Sequence, residues 1–430
     1  MTTVVAMRRS FPPAIVTHAR SRFLKDLLTK GSIPILLGTG GVGKTTIAAA
    51  LALAGASANL NTAVITVDPS ERLRDALVLA HLGGEPTRIG ARQLIAAGLD
   101  AHLRLSAMML DVTGEWDAVI KRFVTDSATR ERIFDNPFYK SLTAEFAGSE
   151  AFAALQRLYD LHQTAAFELE VVDTPPASHS FEFLQTPARL IRLLDSRAAR
   201  WLFTPSLSAS RIAMKVASNA ARFVVRELER FAGTTVLSTI TDFFAAMAES
   251  MDAIIDRLQK TEALLHSPAV KFVMVTTAEP DRIRQARELV AQMESEGLKL
   301  SAIVINRFLD ERTWTAVADS AERPLSHLAA ISELRASLGR DGTGANGGRL
   351  VHYFEEYRAR TLDEIERVAA FARELPKGVR LAIAPEIEAG VRDLAALSRV
   401  AGYVMSGTGV LRGLEMAARE VDAWQNAHRT

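Results

Sequence analysis

Four residues in the stretch LLGTGGVGKTT have the types and spacing for phosphate chemistry: Gly38, then Gly43, Lys44 and Thr45 after a gap of four. Glycines let a backbone turn until successive N–H groups point at phosphate oxygens. The first turn of a following helix adds positive potential. In that arrangement Lys44 is expected to reach β- and γ-phosphates, and Thr45 to ligate Mg²⁺. Gly40, Gly41, Val42 and Thr46 complete the cradle. The plainer alternative is a Gly-rich strand–helix turn without a ligand. The apolar IPILL before the loop and the helix-forming TTIAAALALAGA after it argue for phosphate. The motif alone names neither the nucleotide nor the reaction.

Phosphoryl transfer needs a second anchor for the metal and a group that holds the attacking water. Two aspartates at the ends of apolar runs are candidates: Asp68 in VITVDPSERLRDAL and Asp173 in ELEVVDTPPASHS. Ligands of parallel sheets sit beyond the carboxyl ends of the strands, where both aspartates would fall. Asp173 suits the second metal anchor, acting through a water. Asp68 reads equally as a water-orienting residue or as an aspartate that caps the next helix.

Six short apolar runs can carry these residues: 33–37, 62–67, 167–172, 270–275, 301–306 and 379–384. Continuous apolar strands alternating with helices predict an α/β fold, a mainly parallel sheet covered on both faces. Residues 71–165 and 188–266 hold more helix than a crossover needs, and read as large helical insertions. Residues 1–32 read as an N-terminal extension and 33–430 as one domain. LGRDGTGANGGRL, 338–350, reads as a flexible surface loop. The phosphate-loop motif occurs once, so the chain is not a tandem duplication.

With 430 residues, 48% of them hydrophobic, the chain is long enough for a large core. A formal net charge of +1 gives no overall field to recruit nucleic acid or an anionic membrane. The count of cysteines is 0, which removes disulfides, thiolate zinc sites and cysteine nucleophiles. The N-terminal stretch lacks the apolar core of a signal peptide, and no segment has the apolar length of a membrane span. A soluble cytoplasmic protein is expected.

Taken together, the segments resemble the ArsA-type ATPases, the branch of deviant phosphate-loop proteins that includes the arsenite-pump ATPase and the ATPase targeting tail-anchored membrane proteins. GTGGVGKTT is similar to that family's GKGGVGKTT. DPSERLRDAL resembles its DPAHxLxDAF, keeping Asp68, Pro69, Leu73, Asp75 and Ala76. DTPPASHSFEFLQTP resembles its DTAPTGHTLRxLxLP, keeping Asp173, Thr174, Pro176, His179, Leu184 and Pro187. SAIVINR resembles its adenine-reading strand, which makes Asn306 the implied base contact. LAIAPEIEAG resembles a late segment that packs near the base, through Pro385 and Glu386. The resemblance runs over roughly 33–400. It implies a P-loop NTPase fold, ATP and Mg²⁺ as ligands, and a dimer whose nucleotide state acts on a protein client or membrane-associated partner.

The departures matter. Where the family has a lysine that reaches the partner subunit's nucleotide, this chain has Thr39. An arginine finger in such a role contributes about 10³–10⁵ in rate, or about 4–7 kcal/mol of barrier. Nucleotide binding should survive through Lys44 and the backbone; hydrolysis by a homodimer should weaken unless another cation substitutes. Arg72 and Arg74 are nearest in sequence, though solvated helix arginines are the plainer reading. A heterodimer with a lysine-bearing paralogue is the other route. Glu71 replaces a usual histidine, and Pro175, Ala177 and Ser178 replace Ala, Thr and Gly. Without cysteine the chain cannot bind arsenite as thiolates do.

In the second insertion, Phe243, Met247, Met251, Ile255 and Leu258 share a helical face, with Met214, Phe223, Val224 and Phe231 near in sequence. Such a face suits a groove for an apolar client helix; an ordinary bundle core is the plainer reading. Arg211, Lys215, Arg222 and Arg226 line a face or are simply solvated. The amphipathic 410–425, with Leu411, Leu414, Ala418, Val421 and Trp424, reads as a packed terminal helix rather than a membrane anchor. Two other readings stand beside the ATPase. One is a catalytically weak regulatory subunit. The other is a MinD/ParA-like partition ATPase, against which the near-neutral charge and long insertions argue.

Overall fold

All six apolar runs form strands, and two further strands join them. The elements come from a computed structural model that describes residues 27–68, 71–145, 148–175, 177–195, 239–310, 345–387 and 390–406. The strands are β1 (Ile33–Leu37), β2 (Thr62–Thr66), β3 (Thr87–Arg88), β4 (Leu105–Met109), β5 (Leu169–Asp173), β6 (Val270–Thr276), β7 (Leu300–Asp310) and β8 (Arg380–Glu386). They make one sheet in the order β3-β4-β2-β5-β1-β6-β7-β8. Every pairing is parallel except that of the edge strand β3 with β4.

Both faces are buried, which is why the strands read as continuous apolar runs rather than alternating ones. Leu36, Val64, Val171, Val273 and Val304 point to one face. There α1 (Lys44–Ser57) packs against the sheet and against a late helix, Leu394–Ser406. Ile35, Ile65, Val172, Phe272 and Ile305 point to the other. Following α1 come α2 (Arg72–Ala76), α3 (Ala91–Ala96), α4 (Val112–Phe123), α5 (Ser127–Asp135), α6 (Pro137–Glu145), α7 (Ser149–Thr164), α8 (Ala177–Leu194), α9 (Met251–Leu265), α10 (Pro280–Ser295), α11 (Ala345–Glu374) and the late helix, α12. Leu27 and Leu28, ahead of β1, are already buried in the core.

The 71–165 segment is helix-rich but also carries β3 and β4. LSAMM, the β4 sequence, has no β-branched residue, so only burial beside β2 marks it as a strand. A satellite core joins α4, α5, α6, α7 and α9. Phe243, Met247, Met251 and Leu258 are buried in it beside Phe138 and Tyr139. The apolar face read from the sequence is thus the interior of a helix bundle, with Ile255 half-buried against it. The neighbours at 211–231 and the stretch 410–425 lie outside the described residues.

The glycine-rich 338–350 is corrected in its second part: helix α11 starts at Ala345 and takes in Gly347 and Gly348. Glycine in a first turn costs about 1 kcal/mol per residue. The 30-residue helix offsets that by burying Leu362, Ile365, Val368 and Phe371 in the sheet core. Among the described residues, no helix is long and apolar enough to cross a membrane.

Candidate functional site

The turn from β1 to α1 holds the loop. Gly38 has φ 150°, and a Cβ there would lie 2.2 Å from the Val275 carbonyl oxygen of β6. Gly43 caps α1 in the left-handed region at φ 91°, and its Cβ would lie 2.2 Å from Asn306 Nδ2. Both glycines are therefore required by neighbouring strands as well as by the turn. Asn306, buried on β7, donates from Nδ2 to the Val42 carbonyl at 2.7 Å. The side chain implied to read the base is thus also a clamp on the loop.

Lys44 is 7% exposed. Its ammonium donates to the carbonyls of Gly38 (2.9 Å) and Thr39 (3.3 Å). Burial lowers its pKa; the charges of Asp173 and then Asp68 oppose that, and the Arg72 guanidinium adds a smaller downward push. Lys44, Asp68, Arg72 and Asp173 thus form one electrostatic group.

Asp173 closes β5 in register with Leu36 of β1 on one side and Thr66 of β2 on the other. Its Oδ2 accepts from Thr45 Oγ1 at 2.7 Å and from Thr66 Oγ1 at 3.1 Å. Its Oδ1 is buried without a hydrogen-bond partner. Burial pushes its pKa up to about 6, against the Thr45 hydroxyl, the Lys44 charge and the Thr66 hydroxyl, which pull it down. A buried acceptor with no donor, beside a threonine hydroxyl, fits a hard divalent cation that takes oxygen ligands and keeps several waters. Thr45 and Asp173 are the residues that would hold it. Among the described residues no cluster of three or more His, Asp or Glu could hold a metal by itself.

Asp68 lies two residues beyond β2, at the same sheet edge, with Arg72 Nη1 4.0 Å from its Oδ2. Arg74 turns away: it holds Glu71 with two hydrogen bonds, at 2.5 and 2.6 Å, and also Asp75 at 2.9 Å. Thr39 faces inward. Its hydroxyl is buried without a partner beside a cavity of about 270 Å³, lined also by Gly38, Thr276, Arg282 and Gln285. Thr46 is half-buried in the first turn of α1, Gly40 is half-buried and Gly41 is exposed. Pro385 is buried near the end of β8, one residue past Ala384, which pairs with Asn306. The sequence reading did not single out Thr66. Its role depends on the register of β2 with β5, to which composition gives no clue. A larger cavity of about 660 Å³ opens beside Pro175 and Phe183, between the end of β4 and the start of α7.

A family model described as anion-transporting ATPase, ArsA_ATPase, matches residues 33–324. The chain belongs to the ArsA-type ATPase family. Its eight-stranded sheet, with the loop at the β1–α1 turn and helices on both faces, is the α/β fold of a P-loop NTPase. Among relatives, a candidate arsenical pump-driving ATPase of Prosthecochloris vibrioformis is 25% identical over 284 residues, covering 64% of this chain and 60% of that protein. The ATPase GET3 of Malassezia globosa is 23% identical over 296 residues, covering 68% of this chain and 78% of its own. The ATPase get3 of Schizosaccharomyces pombe is 24% identical over 320 residues, covering 72% and 85%. The chain spans about 60% of the length of the pump-type relative. The family is one of ATP-binding ATPases.

Proposed function

We propose that this chain binds Mg·ATP in the loop 38–46 and hydrolyses it, with nucleotide state changing a dimer that acts on a protein client or membrane-associated partner. The observation that carries the reading is Asp173, buried, held by Thr45 and Thr66, and open at Oδ1. Magnesium, when bound, neutralises charge on the β- and γ-phosphates. The chain's own residues do the rest. The N–H groups around Gly41 and Gly43 cradle phosphate, and Lys44 exchanges its two carbonyl partners for phosphate oxygens. Asp68 orients a water for attack on the γ-phosphorus. The bond from that phosphorus to the bridging oxygen breaks as the new P–O bond forms. ADP and phosphate leave, and the proton of the water goes to the phosphate or to solvent. Asn306 on β7 and Pro385 on the neighbouring β8 are the residues that would border the base.

Arsenite is not among its proposed ligands, because this chain offers no thiolate. The cytoplasm is the proposed location. Thr39 favours a second reading, a regulatory subunit that binds ATP and pairs with a paralogue for turnover: its hydroxyl is uncharged and turned into the protein. Phosphate release from Mg·ATP by the purified chain, beside Lys44→Ala, tests the first against the second. Turnover that Lys44→Ala abolishes supports the enzyme. ATP binding without turnover supports the subunit. Neither binding nor turnover removes both.

A further inference from the structure

Transfer of a terminal phosphoryl group spreads negative charge over its oxygens, and enzymes of this chemistry add an arginine or lysine beyond the phosphate-loop lysine to stabilise it. The loop of this chain supplies no such cation, since Thr39 is neutral and its hydroxyl points inward. Two arginines follow Asp68. Arg74 is bound to Glu71 and Asp75 and cannot leave without breaking four hydrogen bonds. Arg72 is placed differently. It opens α2 at the sheet edge that carries the loop. Its side chain is 68% exposed, and its ion pair with Asp68 is 4.0 Å long, too long for a hydrogen bond. A pair of that length with a solvent-exposed arginine is worth little, so a stronger anion would compete for the guanidinium.

We propose that Arg72 supplies, from within the same chain, the positive charge that stabilises the transferring phosphoryl group of ATP. The inference rests on the reading of the loop as an ATP site. Arg72 takes no part in the bond changes and neither gains nor loses a proton. It leaves Asp68 and touches the γ-phosphate oxygens as charge grows on them. Its planar fork suits that contact, and a lysine would reproduce the charge but not the paired geometry.

The test uses the full chain and the variants Arg72→Ala, Arg72→Lys and Arg74→Ala. It measures kcat, KM, and equilibrium binding of ADP with and without aluminium fluoride, which mimics the transferring phosphoryl group. Arg72→Ala is expected to lower kcat by about 10³-fold, with KM and ADP binding unchanged. Its affinity for ADP with aluminium fluoride falls in proportion. Retained ADP binding shows that the variant folds. Arg72→Lys recovers part of the loss, and Arg74→Ala keeps wild-type values. Mixing Arg72→Ala with Lys44→Ala should not restore activity; restoration would mean that the charge comes from a partner subunit and would overturn the assignment. Wild-type turnover and aluminium fluoride binding in Arg72→Ala would also overturn it, leaving a solvated arginine beside Asp68. Wild-type protein that binds ATP yet shows neither turnover nor aluminium fluoride trapping overturns the Arg72 role and leaves the binding loop standing. Wild-type protein that binds no ATP removes the site itself.

Discussion

Thr45 and Asp173, 128 positions apart in the chain, meet in a 2.7 Å hydrogen bond between the start of α1 and the end of β5. The same carboxylate oxygen accepts from Thr66, so three elements converge on it. The other oxygen is left buried and unpartnered. A protein that only needed a stable sheet edge would gain by replacing this acid with an apolar residue. The buried, unpartnered oxygen fits an arrangement that a cation would complete.

The clamp between Asn306 and Val42 separates two roles for one residue. Asn306→Ala is expected to weaken ATP binding and also to lower stability without nucleotide by about 1 kcal/mol, the loss of one hydrogen bond. A side chain that touched only the base would leave the nucleotide-free stability untouched. Gly43→Ala should be worse, by roughly 1–3 kcal/mol, because its Cβ meets Asn306 at a left-handed φ. Urea unfolding with and without ATP measures both.

Glu170 on β5 is 2% exposed and neither carboxylate oxygen has a partner among the described residues. Burial pushes its pKa up to about 8 from 4.5. Between those values the folded chain holds a proton that the unfolded chain has released. Stability should therefore fall as pH rises through that window, by at most about 1.4 kcal/mol per unit from this group. Glu170→Gln should remove that slope and gain most at the alkaline end. Parallel stability curves for the two proteins across the window would contradict it.

The satellite core gives a contrast between packing and client binding. Phe243→Ala and Met247→Ala are each expected to cost roughly 2–5 kcal/mol, since both side chains are buried in the bundle. Side chains lining an open groove would cost far less. Thermal unfolding of the two variants distinguishes the cases.

Much of this was legible in the sequence because it is local. The loop, its strand and its helix are consecutive, and burial on both faces leaves the strand sequences mostly apolar. The strand-end position of Asp173 was legible for the same reason, as the acid that closes the run LEVV. The contacts were not. Thr66 reaches Asp173 across 107 positions and Asn306 reaches Val42 across 264, distances set by strand order rather than by any local pattern. Strand β4 was hidden because Leu, Ser, Ala and Met suit a helix as well. The glycines before Arg349 suggested a loop, but the apolar stripe of α11 further along decides the helix. The difference between Arg72 and Arg74 is likewise a matter of partners, which the sequence RLRD does not reveal.

The most direct measurement is equilibrium binding of ATP with magnesium and with chelator, for the wild type and Asp173→Asn. If Thr45 and Asp173 anchor a metal–phosphate complex, chelator weakens wild-type binding. The variant then binds about 10–100-fold more weakly with magnesium present, and chelator changes it little. Equal ATP affinity with and without magnesium, or a variant that matches the wild type, would contradict the account at its centre.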